Sequence, residues 1–210
     1  MLQNYTVKRS SSETVITVKL DFGGLKPDYR KRIKTGVTFL DHMIEHIAWR
    51  SGINIEITAQ LDEFALNHLL CEDIGITFGK AIAAYQKDSV AEGSRGYGSA
   101  RAIIDEAQAS ADISFESRAY FNFDLHGLAM PQMTENTLSE DLHTFLDGFA
   151  QGANCTLHVD LYKGQNGHHI WEAIYRAVGT ALYEALEVNK TRKGATAGVA
   201  GLIEFELQKK

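Results

Sequence analysis

Two short stretches of this chain pair imidazoles with a carboxylate at helical spacing: NHLLCED at 67–73 and GHHIWEA at 167–173. On a helix, residues three or four apart share a face. His68 then points with Glu72, and His168 with Glu172, while His169 reaches Glu172 from three positions before it. Imidazole nitrogen together with carboxylate oxygen suits zinc, manganese or iron, ions that accept mixed donors. Two further histidines are placed to join such a set: His42, directly after Phe-Leu-Asp, and His158, inside an alternating segment. A single His-x-x-x-Glu pair is equally what a solvated helix surface offers. His46 and His126 stand alone and are read as surface histidines.

The elements that must position these groups follow from periodicity. YTVKRSSSETVITVKLDF (5–22) alternates as strands, with Ile16, Val18 and Leu20 opposed to Val15, Thr17 and Lys19. The basic, turn-rich GGLKPDYRKRIKTG (23–36) reads as the loop closing that hairpin. FLDHMIEHIAWRSG (39–52) has helical spacing and stops at Ser51-Gly52, INIEITAQL (53–61) alternates, and HLLCEDIGITFGKAIAAY (68–85) is helical with Asn67 as N-cap. The second half repeats this order. Strand-like stretches fill 98–125, helices cover 139–152 and 168–186, and CTLHVDLY (155–162) is a strand between them. In the last helix Ile170, Ile174, Val178, Ala181 and Leu182 form the buried stripe.

The two motifs recur at one offset, His68 to His168 and Glu72 to Glu172 both being 100 residues, and His143 lies 101 after His42. This predicts an α+β fold made by tandem duplication of a sheet-plus-two-helices unit. The halves are 1–92 and 93–210, packed as one subunit, with the seam in QKDSVAEGSRGYG (86–98).

Composition narrows the function classes. The chain has 210 residues, 44% apolar and 23% charged, as an ordinary globular protein does. A formal charge of −6 offers no basic field for nucleic acid or an anionic membrane. No apolar run approaches a membrane span, MLQNYTVKRS is no signal peptide, and two unclustered cysteines fit a reducing, cytoplasmic setting.

With FLDHM at 39–43, HxxxED at 68–73, TLH at 156–158 and HHIxEA at 168–173, the chain resembles the imidazoleglycerol-phosphate dehydratase family. SSETVITVKLD (11–21), YGSARAIIDEA (97–107) and the Ser-Arg-x-Tyr of 117–120 extend the match, collinear through nearly the whole chain. The resemblance implies the same duplicated α+β fold and a homo-24-mer in which manganese ions are held between subunits. It implies removal of water from imidazole glycerol phosphate to give imidazole acetol phosphate, in histidine biosynthesis. The hydrogen removed sits on a carbon with no neighbouring carbonyl, so the metals polarise the imidazole ring and a carboxylate moves protons. The implied metal ligands are His42, His68, Glu72, His158, His168, His169 and Glu172. Glu13 is the implied base or substrate contact, with Glu172 able to combine ligation and proton transfer.

Departures fall on the pocket. The pattern carries a histidine directly after His68, where this chain has Leu69, and two aspartates where it has Leu66 and Asn67. Arg118 matches one phosphate arginine, with Phe115 and Glu116 inserted before it, whereas Gly96 stands where a second is expected and Arg95 is one place away. GATAGVAGLIEF (194–205) lacks the family's Ser-x-Lys-Gly phosphate loop. Three readings follow: a dehydratase with an altered metal and phosphate site, a relative acting on a different small substrate, or a non-catalytic metal-binding paralogue that keeps the assembly.

Overall fold

The computed structural model describes residues 4–61, 66–201, 203 and 206–208. Leu202, Glu204 and Phe205, part of the stretch read above as a departed phosphate loop, lie outside them. The chain opens on the expected hairpin, β1 (Asn4–Ser10) pairing antiparallel with β2 (Thr14–Asp21). Ile16, Val18 and Leu20 alternate onto the buried face. The hairpin turn is 11–13, where Ser11 Oγ accepts the backbone N–H groups of Glu13 and Thr14 at 3.2 and 3.1 Å.

Residues 23–36 therefore do not close that hairpin, against the sequence reading. They run onward from β2 through a single 3-10 turn (Tyr29–Arg32) into β3 (Ile33–Lys34), which pairs parallel with β4 (Asn54–Leu61). A two-residue strand is too short for any periodicity to register. α1 (Thr38–Ser51) ends at Gly52, whose φ of 72° is the left-handed cap that glycine adopts freely. α2 (Asn67–Ser89) begins a residue before the expected start, so Asn67 lies inside the helix. Leu66 holds the N-cap position and gives no side-chain hydrogen bond.

The second half is built from β5 (Tyr97–Ile104), β6 (Ala107–Ser114), β7 (Tyr120–Asp124), α3 (Ser139–Ala153), the last strand (Thr156–Lys163) and the last helix (Gly167–Leu186). A small hairpin of β8 (Met133–Thr134) and β9 (Thr137–Leu138), absent from the sequence reading, precedes α3. The last strand is thus β10 and the last helix α4. Strand order is β1-β2-β4-β3 in one sheet and β5-β6-β10-β7 in the other, each with one parallel edge strand. The duplication read from the motifs is the topology of the fold.

α2 lies across β1 and β2, and α4 across β5 and β6, while α1 runs beside β3 and α3 beside β7. The two helix pairs meet in two seams, α2 against α3 and α1 against α4. One hydrophobic cluster takes side chains from both sheets and all four helices. The seams differ in closeness. At α2–α3 a Cβ on Gly148 would lie 2.6 Å from the Glu72 carbonyl oxygen, and Cβ atoms on Gly75, Gly79 and Gly152 would overlap the carbonyls of Phe145, Phe149 and Ile76. Backbones that near admit only glycine. At α1–α4 a Cβ on Gly179 would meet Ile47 Cα at 2.9 Å, but α1 contributes no glycine of its own.

The left-handed caps Gly52 and Asn154 are 102 residues apart and align Leu40, Met43, Ile44 and Ile47 with Leu142, Phe145, Leu146 and Phe149. His143 is therefore the counterpart of Asp41. Its ring packs against Phe121 and Phe123, centroids 4.9 and 5.4 Å away, and burial lowers its pKa.

Candidate metal centre

Two helix starts deliver the donors. In the first turn of α1, Asp41 Oδ1 accepts the Thr35 N–H at 2.7 Å and the Thr35 hydroxyl at 2.5 Å, which fixes that turn and with it His42. Burial raises the Asp41 pKa, partly offset by these hydrogen bonds. At α4 the Asn166 side chain accepts the His168 N–H at 2.8 Å, a side-chain N-cap of the usual kind. Glu106, from the β5–β6 turn, accepts the N–H groups of Asn166 and Gln165 at 2.8 and 3.2 Å and meets His169 Nδ1 at 2.7 Å. The Asn166 N–H first, then His169, hold the Glu106 carboxyl down to about 2, and Glu106 in turn raises His169.

Between these starts, across the α1–α4 seam, five side chains converge. Glu172 is buried, 5% exposed. His168 Nε2 lies 3.4 Å from its Oε2 and His42 Nε2 4.0 Å, while His46 Nε2 is 3.3 Å from Oε1. Arg176, one turn further along α4, forms an ion pair with Oε1. His42 and His46 bring their Nε2 atoms to 3.4 Å of each other. Burial, then the positive charge around it, pushes the His46 imidazole down to about 3, so it stays neutral. Carboxylates stand behind the other two rings. Glu45 Oε2 is 3.5 Å from His42 Nδ1 and is held by Arg30 at 2.8 Å, and Glu135 Oε1 is 3.3 Å from His168 Nδ1. A cavity of about 620 Å³ opens beside His42 and His168, lined also by Phe39, Asn67 at the start of α2, and Glu135–Thr137 of the β8–β9 turn.

These residues fit a divalent cation. Ligand atoms of His42, His168 and Glu172 all lie within 4.8 Å of one another, and two nitrogens with one oxygen is a donor set for zinc, manganese or iron. The carboxylates at Nδ1 are the arrangement that fixes a ligating histidine with its proton on Nδ1 and its lone pair on Nε2. A second group, Asp124, His126 and Asp160, differs in kind. His126 Nε2 is 2.8 Å from Asp160 Oδ1, the His126 backbone N–H donates to Asp124 Oδ1 at 2.7 Å, and the imidazole ring stacks on Tyr162. Those are the distances of a hydrogen-bonded turn histidine.

The structure unites three of the residues named from sequence and disperses the others. His68 is exposed and Glu72 half-buried at the start of α2. His158 is exposed on β10 beside Tyr120, ring centroids 5.8 Å apart, and His169 faces Glu106. Glu13 is exposed at the tip of the first hairpin. Arg118 lines a separate cavity of about 400 Å³ with Glu116, Lys87 and residues 196–201. Arg95 pairs with Glu184 at 3.5 Å and Glu187 at 3.9 Å, and Arg192 spends its guanidinium on the carbonyls of Thr196 and Ala197. Sequence reasoning missed His46 and Arg176. Each stands four residues after a named ligand, His42 and Glu172, and that spacing was the available signal.

Among the described residues, no helix is long and apolar enough to cross a membrane. A family model described as imidazoleglycerol-phosphate dehydratase matches residues 35–182. Among curated relatives, the imidazoleglycerol-phosphate dehydratase of Burkholderia multivorans is 36% identical over 196 residues, 93% of this chain and 96% of that protein. The one from Polaromonas sp. is 35% identical over 195 residues, covering 93% and 91%. Among solved structures, the Staphylococcus aureus imidazoleglycerol-phosphate dehydratase superposes with a TM-score of 0.74 at 28% identity, over 89% of this chain and 99% of that one. IGPD from Pyrococcus furiosus gives 0.76 at 30% identity, over 93% and 99%.

Proposed function

This chain belongs to the imidazoleglycerol-phosphate dehydratase family, and from that premise we propose that it is a hydro-lyase converting imidazole glycerol phosphate to imidazole acetol phosphate in histidine biosynthesis. The observation that carries the reading is the convergence of His42, His168 and Glu172 beside a cavity of about 620 Å³, a volume suited to a small metabolite. Manganese is the ion we assign, and bound there it supplies a Lewis acid for the substrate's imidazole ring.

The chain's own residues do the positioning. Glu45 and Glu135 hold the Nδ1 protons of His42 and His168, so each Nε2 lone pair faces the centre. Glu172 supplies the negative charge, and Arg176 fixes its orientation. Glu13 is the carboxylate we assign to take the proton from the substrate carbon. Its hairpin is braced on α2 by buried Asp73, which meets Arg9 Nη1 at 2.7 Å and the Thr14 hydroxyl at 2.9 Å. The dispersal of His68, Glu72, His158 and His169 over separate surface sites supports a second donor set completed between subunits, as a homo-24-mer would provide. Arg118, beside the glycine-containing 196–201 segment, is the phosphate contact in this reading, and Arg95, tied to two glutamates, is at most secondary. The free, buried Cys71 and Cys155 fit a cytoplasmic enzyme.

The test is direct. Protein purified with manganese is analysed for metal per subunit, for assembly mass by light scattering, and for imidazole acetol phosphate formation. Turnover that Glu172→Gln abolishes supports the reading. A metal-loaded assembly without turnover on this substrate overturns it in favour of a different substrate or a non-catalytic role.

A further inference from the structure

We propose that His46 is a ligand of the metal centre, a fourth side-chain donor alongside His42, His168 and Glu172. The inference rests on the metal reading above and goes beyond it, because neither the spacing of the motifs nor the grouping of the other three donors assigns His46 any role.

Distances carry the argument. Donors bound at about 2.0–2.2 Å around one cation stand roughly 2.8–3.6 Å from one another, from the octahedral to the tetrahedral angle. His46 Nε2 lies 3.4 Å from His42 Nε2 and 3.3 Å from Glu172 Oε1, matching the 3.4 Å between His168 Nε2 and Glu172 Oε2. His46 Nε2 thus stands at coordination-edge distance from two of the three grouped donors, His42 and Glu172. Placement agrees: His46 follows His42 by one helical turn and so shares its face of α1, and its side chain is only 14% exposed.

The experiment is a crystal structure of the manganese-loaded full chain with anomalous data, together with manganese titration of wild type and His46→Gln. Glutamine keeps a polar side chain of similar reach, and unchanged circular dichroism certifies folding. The proposal expects an anomalous peak with His46 Nε2 about 2.0–2.2 Å away, and affinity at this centre at least about tenfold weaker in the variant. A peak held by His42, His168 and Glu172 with His46 beyond bonding distance, and equal affinity in His46→Gln, overturns it while leaving the metal reading intact. No peak at the centre overturns both.

Discussion

Replacing Glu172 by glutamine preserves the side chain's shape and removes the one negative charge that His42, His46, His168 and Arg176 surround. Two separable losses follow. Arg176, with 22% of its side chain exposed, loses its ion-pair partner and retains the Ile103 carbonyl at 3.2 Å. Breaking a buried pair costs about 3–5 kcal/mol, and the part of Arg176 still open to water lowers this to roughly 2–3 kcal/mol. The second loss is linkage to metal. Manganese at 100 times its dissociation constant stabilises the wild type by about 2.7 kcal/mol, and a neutral carboxamide forfeits most of that gain. Urea unfolding at one fixed protein concentration, in chelator and then in manganese, separates the two. The variant is expected to lie roughly 2–3 kcal/mol below wild type in chelator and roughly 4–6 kcal/mol below in manganese. An equal manganese-induced gain in both proteins refutes ligation by Glu172, and equal stability in chelator refutes the ion-pair account.

Other outcomes test the scaffold. Gly79→Ala and Gly152→Ala each drive a methyl group into the opposite backbone of the α2–α3 seam and should destabilise by about 1–3 kcal/mol in denaturant titration. Asp73→Asn removes the charge from a buried carboxylate held by Arg9, whose side chain is 33% exposed; the loss should be about 2 kcal/mol, discounted for that exposure. Burial pushes the thiols of Cys71 and Cys155 up to about 12, so neither should react with a disulfide reagent at pH 8 unless the chain is first unfolded. Tyr5 is likewise raised to about 12, by burial first and then by its hydrogen bond to Asp88. All three groups have folded pKa values above their unfolded ones. The stability they contribute is therefore whole below about pH 8.5 and falls as pH climbs toward 12. The urea midpoint should drop along that range, less steeply in Cys155→Ala.

Periodicity located what one element can show about itself. The alternation of Ile16, Val18 and Leu20 marked a half-buried strand, and the stripe from Ile170 to Leu182 marked a helix with one face inward. It was silent on what an element meets. Nothing local says that α1 faces α4, so the sequence offers His42 only as one more candidate for a joint ligand set and leaves His46 as a surface residue. Short elements escaped for a different reason, since β3, β8 and β9 hold two residues each. Asn67 looked like a cap because its side chain can cap, yet its backbone already lies in the helix.

The duplication also explains why one seam holds the candidate centre and the other is a packing contact. Offsets of 100 between α2 and α4 and of 102 between α1 and α3 make Glu72 the counterpart of Glu172, Ile76 that of Arg176, and Gly148 that of His46. Glycine at 148 lets α3 approach until a single added carbon would sit 2.6 Å from the Glu72 carbonyl oxygen, which leaves no volume for an imidazole. At the matching place on α1 the His46 ring fills that volume and meets the Glu172 carboxylate at 3.3 Å. Helices held apart by a side chain leave a gap that must be lined by groups able to satisfy one another. Here those groups are His42, His168, Glu172 and Arg176, an arrangement whose polar atoms require either each other or a cation. Glu72, with the opposite backbone pressed against its own, has no such gap to point into and keeps a half-exposed position at the start of α2. The same His-x-x-x-Glu spacing thus contributes to a cluster across the seam at α4 and stands as a surface pair at α2, and the residue that separates the two outcomes lies on the facing helix.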